Sequence, residues 1–369
     1  MATKYYYSQA SGANNGTSES DAYTDLQTAL NALSAGDHLY CKRHSSREGA
    51  KTTNLTLTTD SEAAAGNTVV EGYGTTPGDG VLYQTASPVN FAGDGITVKY
   101  FDIDSDDDAS TTLYLNGDSS LAYRCKVTSS YAFGTCLDLI DASAVECVAK
   151  STVTNASDYV IKSNRAHIIN CTAIIDAASG SAGSAINVGV GFRTNSVVGC
   201  LCINEDAAES HVGIFMDGNN GGGNLISNNT VYNMAIGIEH DDGPVAARVN
   251  IPTIVFGNLI YSCGNGIVNS QGTNTVNFAL MAMQNAFGAI TSNQISNFGY
   301  ASDSVTLTES PFVDTTNFEL NNAPGGGALL KGVLNWPVDP RDLDSTVRKQ
   351  FGTYGAIQPN PVGEVSRSF

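Results

Sequence analysis

The chain is short of charge, and the charge it has is one-sided. Of 369 residues only 15% are Asp, Glu, Lys or Arg, with 18 basic against 36 acidic side chains and a formal net charge of −18. A surface of that sign repels phosphate backbones and anionic headgroups, so neither nucleic acid nor an anionic membrane is an expected partner. No run of 18 apolar residues occurs, so no segment reads as a membrane-spanning helix. The opening MATKYYYSQA is polar and lacks the apolar stretch of a secretion signal, which points to synthesis in a cytoplasm. Tryptophan occurs once, at Trp336. The eight cysteines, at 41, 125, 136, 147, 171, 200, 202 and 263, form no CxxC pair and read as free thiols made in a reducing compartment, not as zinc ligands or disulfides.

What is present is a repeat. A Cys or Asn set among β-formers recurs at Cys125, Cys147, Cys171, Cys200, Asn229, Asn258 and Asn285, in steps of 22, 24, 29, 29, 29 and 27 residues. A second track of Ile186, Ile214, Ile238 and Ile267 runs in phase with it, in steps of 28, 24 and 29. Two tracks on one period mark a repeat array. Each unit holds short Val/Ile-rich strands between Gly, Asn, Asp and Ser turns, with no room for a long helix. The period fits one coil of a single-stranded parallel β-helix, with the Cys/Asn positions stacked inside as a ladder of like residues. The array is expected over 41–300, behind a strand and helix in 1–40. A closing segment and an irregular tail rich in Pro and Gly follow over 301–369. Asp21 to Leu33 places Ala22, Leu26, Ala29, Leu30 and Leu33 on one helical face, with Ser20 or Asp21 as its cap, and predicts a short helix over the open end of the first coil.

YYYSQASGANNGTSESDAYTDLQTALNALSAGD resembles the capped entrance of right-handed β-helix proteins of the pectate-lyase-like superfamily. NTVVEGYGTTPGDG at 67–80 is similar to their early-coil segment, and SPFVDTTNFELNN at 310–322 with FGTYGAIQP at 351–359 is similar to their closing segment. The resemblance implies an all-β, right-handed parallel β-helix. For activity it leaves several classes open, because that superfamily holds polysaccharide lyases, hydrolases, phage tailspikes and non-catalytic virion proteins.

Two acidic groups are candidate sites. Asp102, Asp104 and Asp106 alternate in ITVKYFDIDSDDD and are candidate Ca²⁺ ligands, the alternative being a solvated strand face. Asp217 and Asp241 each stand three residues after an Ile of the second track, so they are expected to point outward on successive coils, with Glu239 on the same face. Carboxylates at that separation suit a retaining glycosidase or a Ca²⁺ site. In the related lyases such carboxylates work beside a basic residue that removes a proton, and Lys162, Arg193 and Arg248 are the nearby choices. A third reading is glycan binding without turnover, for which Phe215 and Tyr232 are rings able to stack on sugars but do not align into a platform. The Asp-pair and Gly-His-Gly segments of polygalacturonases are missing, and the His of HVG at 211–213 reads as incidental.

The first expectation is therefore a non-catalytic structural virion protein of a tailed phage, a capsid decoration or other particle component. It would be made in the host cytoplasm, assemble as a homotrimer and contact other virion proteins. The alternative is a carbohydrate-active enzyme, a tailspike-like glycosidase or Ca²⁺-dependent polysaccharide lyase acting on an extended glycan. In that case Asp217, Glu239 and Asp241 carry the chemistry. Arg341, Arg348, Lys349 and Arg367 give the tail a basic bias that favours contacts between subunits.

Overall fold

Each repeat is one coil of a right-handed parallel β-solenoid, an all-β chain with almost no helix. The computed structural model describes residues 2–330 except 44–47, 52–54, 59–66, 75–80, 86–88, 106–110, 131–133, 153–158, 177–182, 190–194, 207–210, 218–222, 242–252, 271–276 and 317. Asp106, Arg193, Arg248, Trp336 and the basic residues of the tail fall outside the described residues.

A coil has three strands, and each stacks on its counterpart one repeat later. The first column includes His38–Lys42, Ile96–Lys99, His167–Ile169, Asn195–Val198, Asn224–Ser227 and Thr253–Phe256. The second, a sheet of 11 strands among the described residues, includes Phe101–Ser105, Lys126–Ser129, Leu201–Asn204, Thr230–Tyr232 and Leu259–Tyr261. The third includes Tyr159–Asn164, Ser184–Val188, Val212–Asp217, Ile236–Asp241 and Asn265–Asn269. Thr111–Tyr123 and Thr135–Val145 run from the third column straight into the first, which fuses those two columns into one sheet. Parallel pairing starts at Thr3, opposite His38, and ends at Leu307, opposite Gly288, so the solenoid extends on both sides of the 41–300 array.

Both sequence tracks lie inside the tube. Ile186, Ile214, Ile238 and Ile267 are mutual register partners in the third column and fully buried. The Cys/Asn track occupies the corner between the first and second columns. Each of its members follows a residue in the left-handed region: Arg124, Glu146, Asn170, Gly199, Asn228, Gly257 and Gln284, with φ from 50 to 68°. That one left-handed residue turns the chain into the next strand. Gly and Asn take it at little cost. Arg124 and Glu146, which have no such advantage, are tied to each other across adjacent coils by an ion pair.

The Asn half of the ladder is satisfied throughout. Asn258 Nδ2 donates to Ile226 O at 3.0 Å and to Asn285 Oδ1 at 2.9 Å, while its Oδ1 accepts from Asn229 N at 3.0 Å and Asn229 Nδ2 at 2.9 Å. Asn229 Oδ1 accepts from Cys200 N at 2.8 Å, which joins the amide half to the thiol half. All eight cysteines are free and buried. Burial pushes the Cys136 and Cys263 thiols up to about 12, and the ladder thiols at 125, 147 and 171 rise as well. A thiol that is both shielded and protonated is a poor nucleophile. The native protein is therefore expected to leave a colorimetric disulfide reagent unreacted at neutral pH and to release eight equivalents on denaturation. Fast reaction of any cysteine in the folded state would contradict this placement.

The helix covers Leu26–Asn31, shorter than the span from Asp21, and Asp25 is its cap, accepting from Thr28 N at 2.8 Å. Asp21 is unavailable for that role. Its carboxylate accepts from Ala13 N at 2.8 Å and Ser18 Oγ at 2.9 Å, bonds that lower its pKa, and Tyr23 pairs with the first strand through Tyr6. Leu26, Ala29 and Leu30 join the main core beside Leu55 and Leu57. At the other end, 308–330 folds back over the outer face of the second column. Phe312, Phe318, Leu320 and Leu330 are buried there against Leu201, Leu259, Ala286 and Leu307. Asn321 holds that segment, donating to Ser310 O and Phe312 O and accepting from Ala323 N and Gly327 N.

Candidate functional site

Strand alternation leaves every second residue of the third column facing out. Because the coils stack in register, the outward residues form straight rows, one residue per coil. One row is Tyr114, Asp138, Lys162, Asn187, Phe215, Glu239 and Val268. Beside it Asp217 and Asp241 are direct register partners on adjacent coils. Neighbouring parallel strands lie about 4.8 Å apart, so the two aspartates are stacked like charges. Glu239 shares the outer face of Ile236–Asp241 with Asp241, and all three carboxylates are half-buried.

Burial raises the pKa of Glu239 above the usual glutamate range, a hydrogen bond with Ser270 opposes the rise, and Asp241 adds to it. A carboxyl whose folded pKa is raised contributes stability below the unfolded pKa, and that contribution is lost as pH climbs through the folded value. Glu239→Gln is therefore expected to raise the urea midpoint at neutral pH and to leave it nearly unchanged at acidic pH. An equal change at both would rule out the strained carboxylate.

Toward the N-terminal end of the row, Lys162 Nζ stands 3.5 Å from Asp138 Oδ2. Asp138 is buried, which raises its pKa against the pull of Lys162, and Tyr114 below it is raised by burial and by the Asp138 charge. Lys162 is thus committed to Asp138, on the side away from Asp217. His240 and His211, each 2% exposed, are interior residues; the Gly183 amide donates to His211 Nδ1 at 3.3 Å.

The aromatic candidates part ways. Phe215 stands in the outward row beside Glu239. Tyr232 belongs to the second column, stacked on Tyr261 and capped by Phe312 and Phe318, so it offers no platform for a sugar. Asp102 and Asp104 face out from the second column, Asp102 Oδ2 lying 3.9 Å from Lys126 Nζ. Among the described residues, no group of three or more His, Cys, Asp or Glu side chains converges on a point that would hold a metal. Asp242, adjoining Asp241, lies outside the described residues.

No family model and no curated protein matches the chain. Among solved structures it is similar to pectate lyase Pel9A, with 12% identity, a TM-score of 0.58 and coverage of 98% of this chain and 97% of that one. It is also similar to the ORF18 protein of Geobacillus virus E2, with 13% identity, a TM-score of 0.47 and coverage of 78% and 58%. An alginate lyase of family PL6 in complex with a trisaccharide matches at 10% identity and a TM-score of 0.41, over 76% and 81%. At these identities the likeness is one of fold, and the fold is the pectate-lyase-like parallel β-helix.

Proposed function

We propose that the protein acts on an extended acidic polysaccharide laid along the outer face of the third column, with Asp217, Glu239 and Asp241 at the reacting position. The observation that carries this reading is the register pairing of Asp217 with Asp241 beside Glu239, in line with Phe215. A straight row with one residue per coil suits a polymer better than a compact ligand. A chain of net charge −18 repels a uronate polymer. A hard divalent cation offsets that repulsion, and carboxylate oxygens are the donors Ca²⁺ takes. Asp217 and Asp241 would hold it, and bound there it would neutralise a substrate carboxylate. Glu239, whose raised pKa brings it toward the working range of a general acid or base, is assigned the proton transfer. Phe215 offers a half-buried ring on which a sugar can pack.

The test is a digestion series on pectate, alginate and a neutral glucan, with Ca²⁺ or with a chelator. Ultraviolet absorbance of an unsaturated product from an acidic polymer, lost on chelation, supports the reading. Absence of cleavage on all three, joined to many copies of the chain in purified virus particles, would return the protein to a structural virion role.

A further inference from the structure

The outward row at the N-terminal end of the first column is aromatic and polar. Tyr5, Tyr40, Glu71, Lys99 and Tyr123 are register partners on successive coils, while Leu39, Cys41, Val70, Val98 and Ala122 beside them on the same strands point inward and are buried. Glu71 is the centre of the row. It is 6% exposed, and His38 Nε2 and Lys99 Nζ stand 2.9 and 2.8 Å from its Oε2. Rings stand on either side of it. Tyr40 stacks on His38 with centroids 4.1 Å apart and on Tyr5 at 5.8 Å. Tyr123 meets Tyr100 edge-on at 5.8 Å, with Arg124 over its ring. Tyr40 and Tyr123 are three coils apart, roughly 14 Å at strand spacing. Tyr5, Tyr40 and Tyr123 are half-buried, so part of each side chain reaches solvent.

We infer that this end of the first column binds a neutral glycan and does not cleave it. Two aromatic pads with hydrogen-bonding groups between them match a saccharide, whose C–H faces pack on rings and whose hydroxyls both donate and accept. Glu71 supplies an acceptor and Lys99 a donor on adjacent coils, the pairing that two neighbouring hydroxyls require. Charge decides the class of glycan. Lys42 pairs with Glu19, Lys99 with Glu71 and Arg124 with Glu146, so each of these cations is already matched by a carboxylate. Those pairs leave no surplus positive charge to draw a uronate toward a chain of net charge −18, whereas a neutral sugar meets no repulsion. Glycoside hydrolysis takes a pair of carboxyl groups, and this row carries one, already held by His38 and Lys99. The inference is independent of the acidic-polymer reading, whose residues lie on the third column.

Affinity electrophoresis of the full-length protein, through gels cast with a soluble β-glucan, a galactan, an arabinoxylan or pectate, reads the binding directly. At least one neutral polymer should slow the protein, equally with Ca²⁺ and with a chelator, and should gain no new reducing ends. Pectate should not slow it while the chelator is present. Tyr123→Ala should weaken retention about tenfold, the worth of one stacked ring, and Tyr123→Phe should preserve it. Thr97→Arg, at an outward position beside Lys99 and between Val69 and Leu121, should block binding without removing a ring. Melting temperatures recorded alongside separate lost binding from lost fold, and Thr97→Arg carries the test where Tyr123→Ala lowers them. A wild type slowed by none of the neutral polymers overturns the inference, as does retention that survives both Tyr123→Ala and Thr97→Arg. Retention by pectate under chelation, lost on Thr97→Arg, overturns the neutral class. Cleavage of pectate by a protein that no neutral polymer retains would sink this inference alone and leave the acidic-polymer reading standing.

Discussion

Asp241→Asn is expected to reduce cleavage of an acidic polysaccharide by on the order of 100-fold or more while leaving the fold in place. Asp241 is the register partner of Asp217 and adds to the rise that burial gives the Glu239 carboxyl. Such an arrangement favours binding a cation with a charged substrate. Asn keeps the shape and removes the charge that would hold the cation. Asp217→Asn should do the same. Turnover at saturating and limiting Ca²⁺, together with urea midpoints, separates this account from a structural one, in which activity and stability would fall together.

The second large effect is on the ladder. Asn258→Ala is expected to destabilise the solenoid by about 4 kcal/mol, because several buried partners lose their hydrogen bonds at once. The Asn229 backbone N–H, the Asn229 side-chain amide, the Ile226 carbonyl and Asn285 Oδ1 all bond to the Asn258 side chain, and the position is fully buried. Water cannot enter to replace them. Cys147→Ala at the equivalent corner should cost only about 1 kcal/mol, since its thiol donates weakly to Ala122 O and Val145 O at 3.4 and 3.5 Å. Chemical denaturation measures both. Because each coil is held by its neighbours, amide exchange in the Asn258→Ala protein should quicken first in the coils at Asn229 and Asn285. Similar losses for both variants would mean the amide stack is no stronger than the thiol stack.

The repeat was legible because its two tracks are interior positions. One residue type per coil is selected by the same neighbours above and below, so Ile186, Ile214, Ile238 and Ile267 keep phase through loops of varied length. Asp217 and Asp241 were placed outward and adjacent by counting from that track, and the register agrees. The rest of the row was missed for want of one extension. Ile161 and Leu137 are the same inward position one and two coils before Ile186, and the residues after them are Lys162 and Asp138. The helix start was misplaced because Asp21 serves the loop ahead of it, a role fixed by Ala13 and Ser18 that no helical periodicity contains. The packing of Tyr232 is not visible in the sequence, because the closing segment that covers it arrives from far along the chain at Phe312 and Phe318.

Crystals of the protein grown with Ca²⁺ and a pectic hexasaccharide would test the central claim most directly. The sugar chain should lie along the third column past Phe215 and Glu239, with the cation between Asp217 and Asp241. Sugar bound on another face, or a cation site elsewhere with this row bare, would contradict the account.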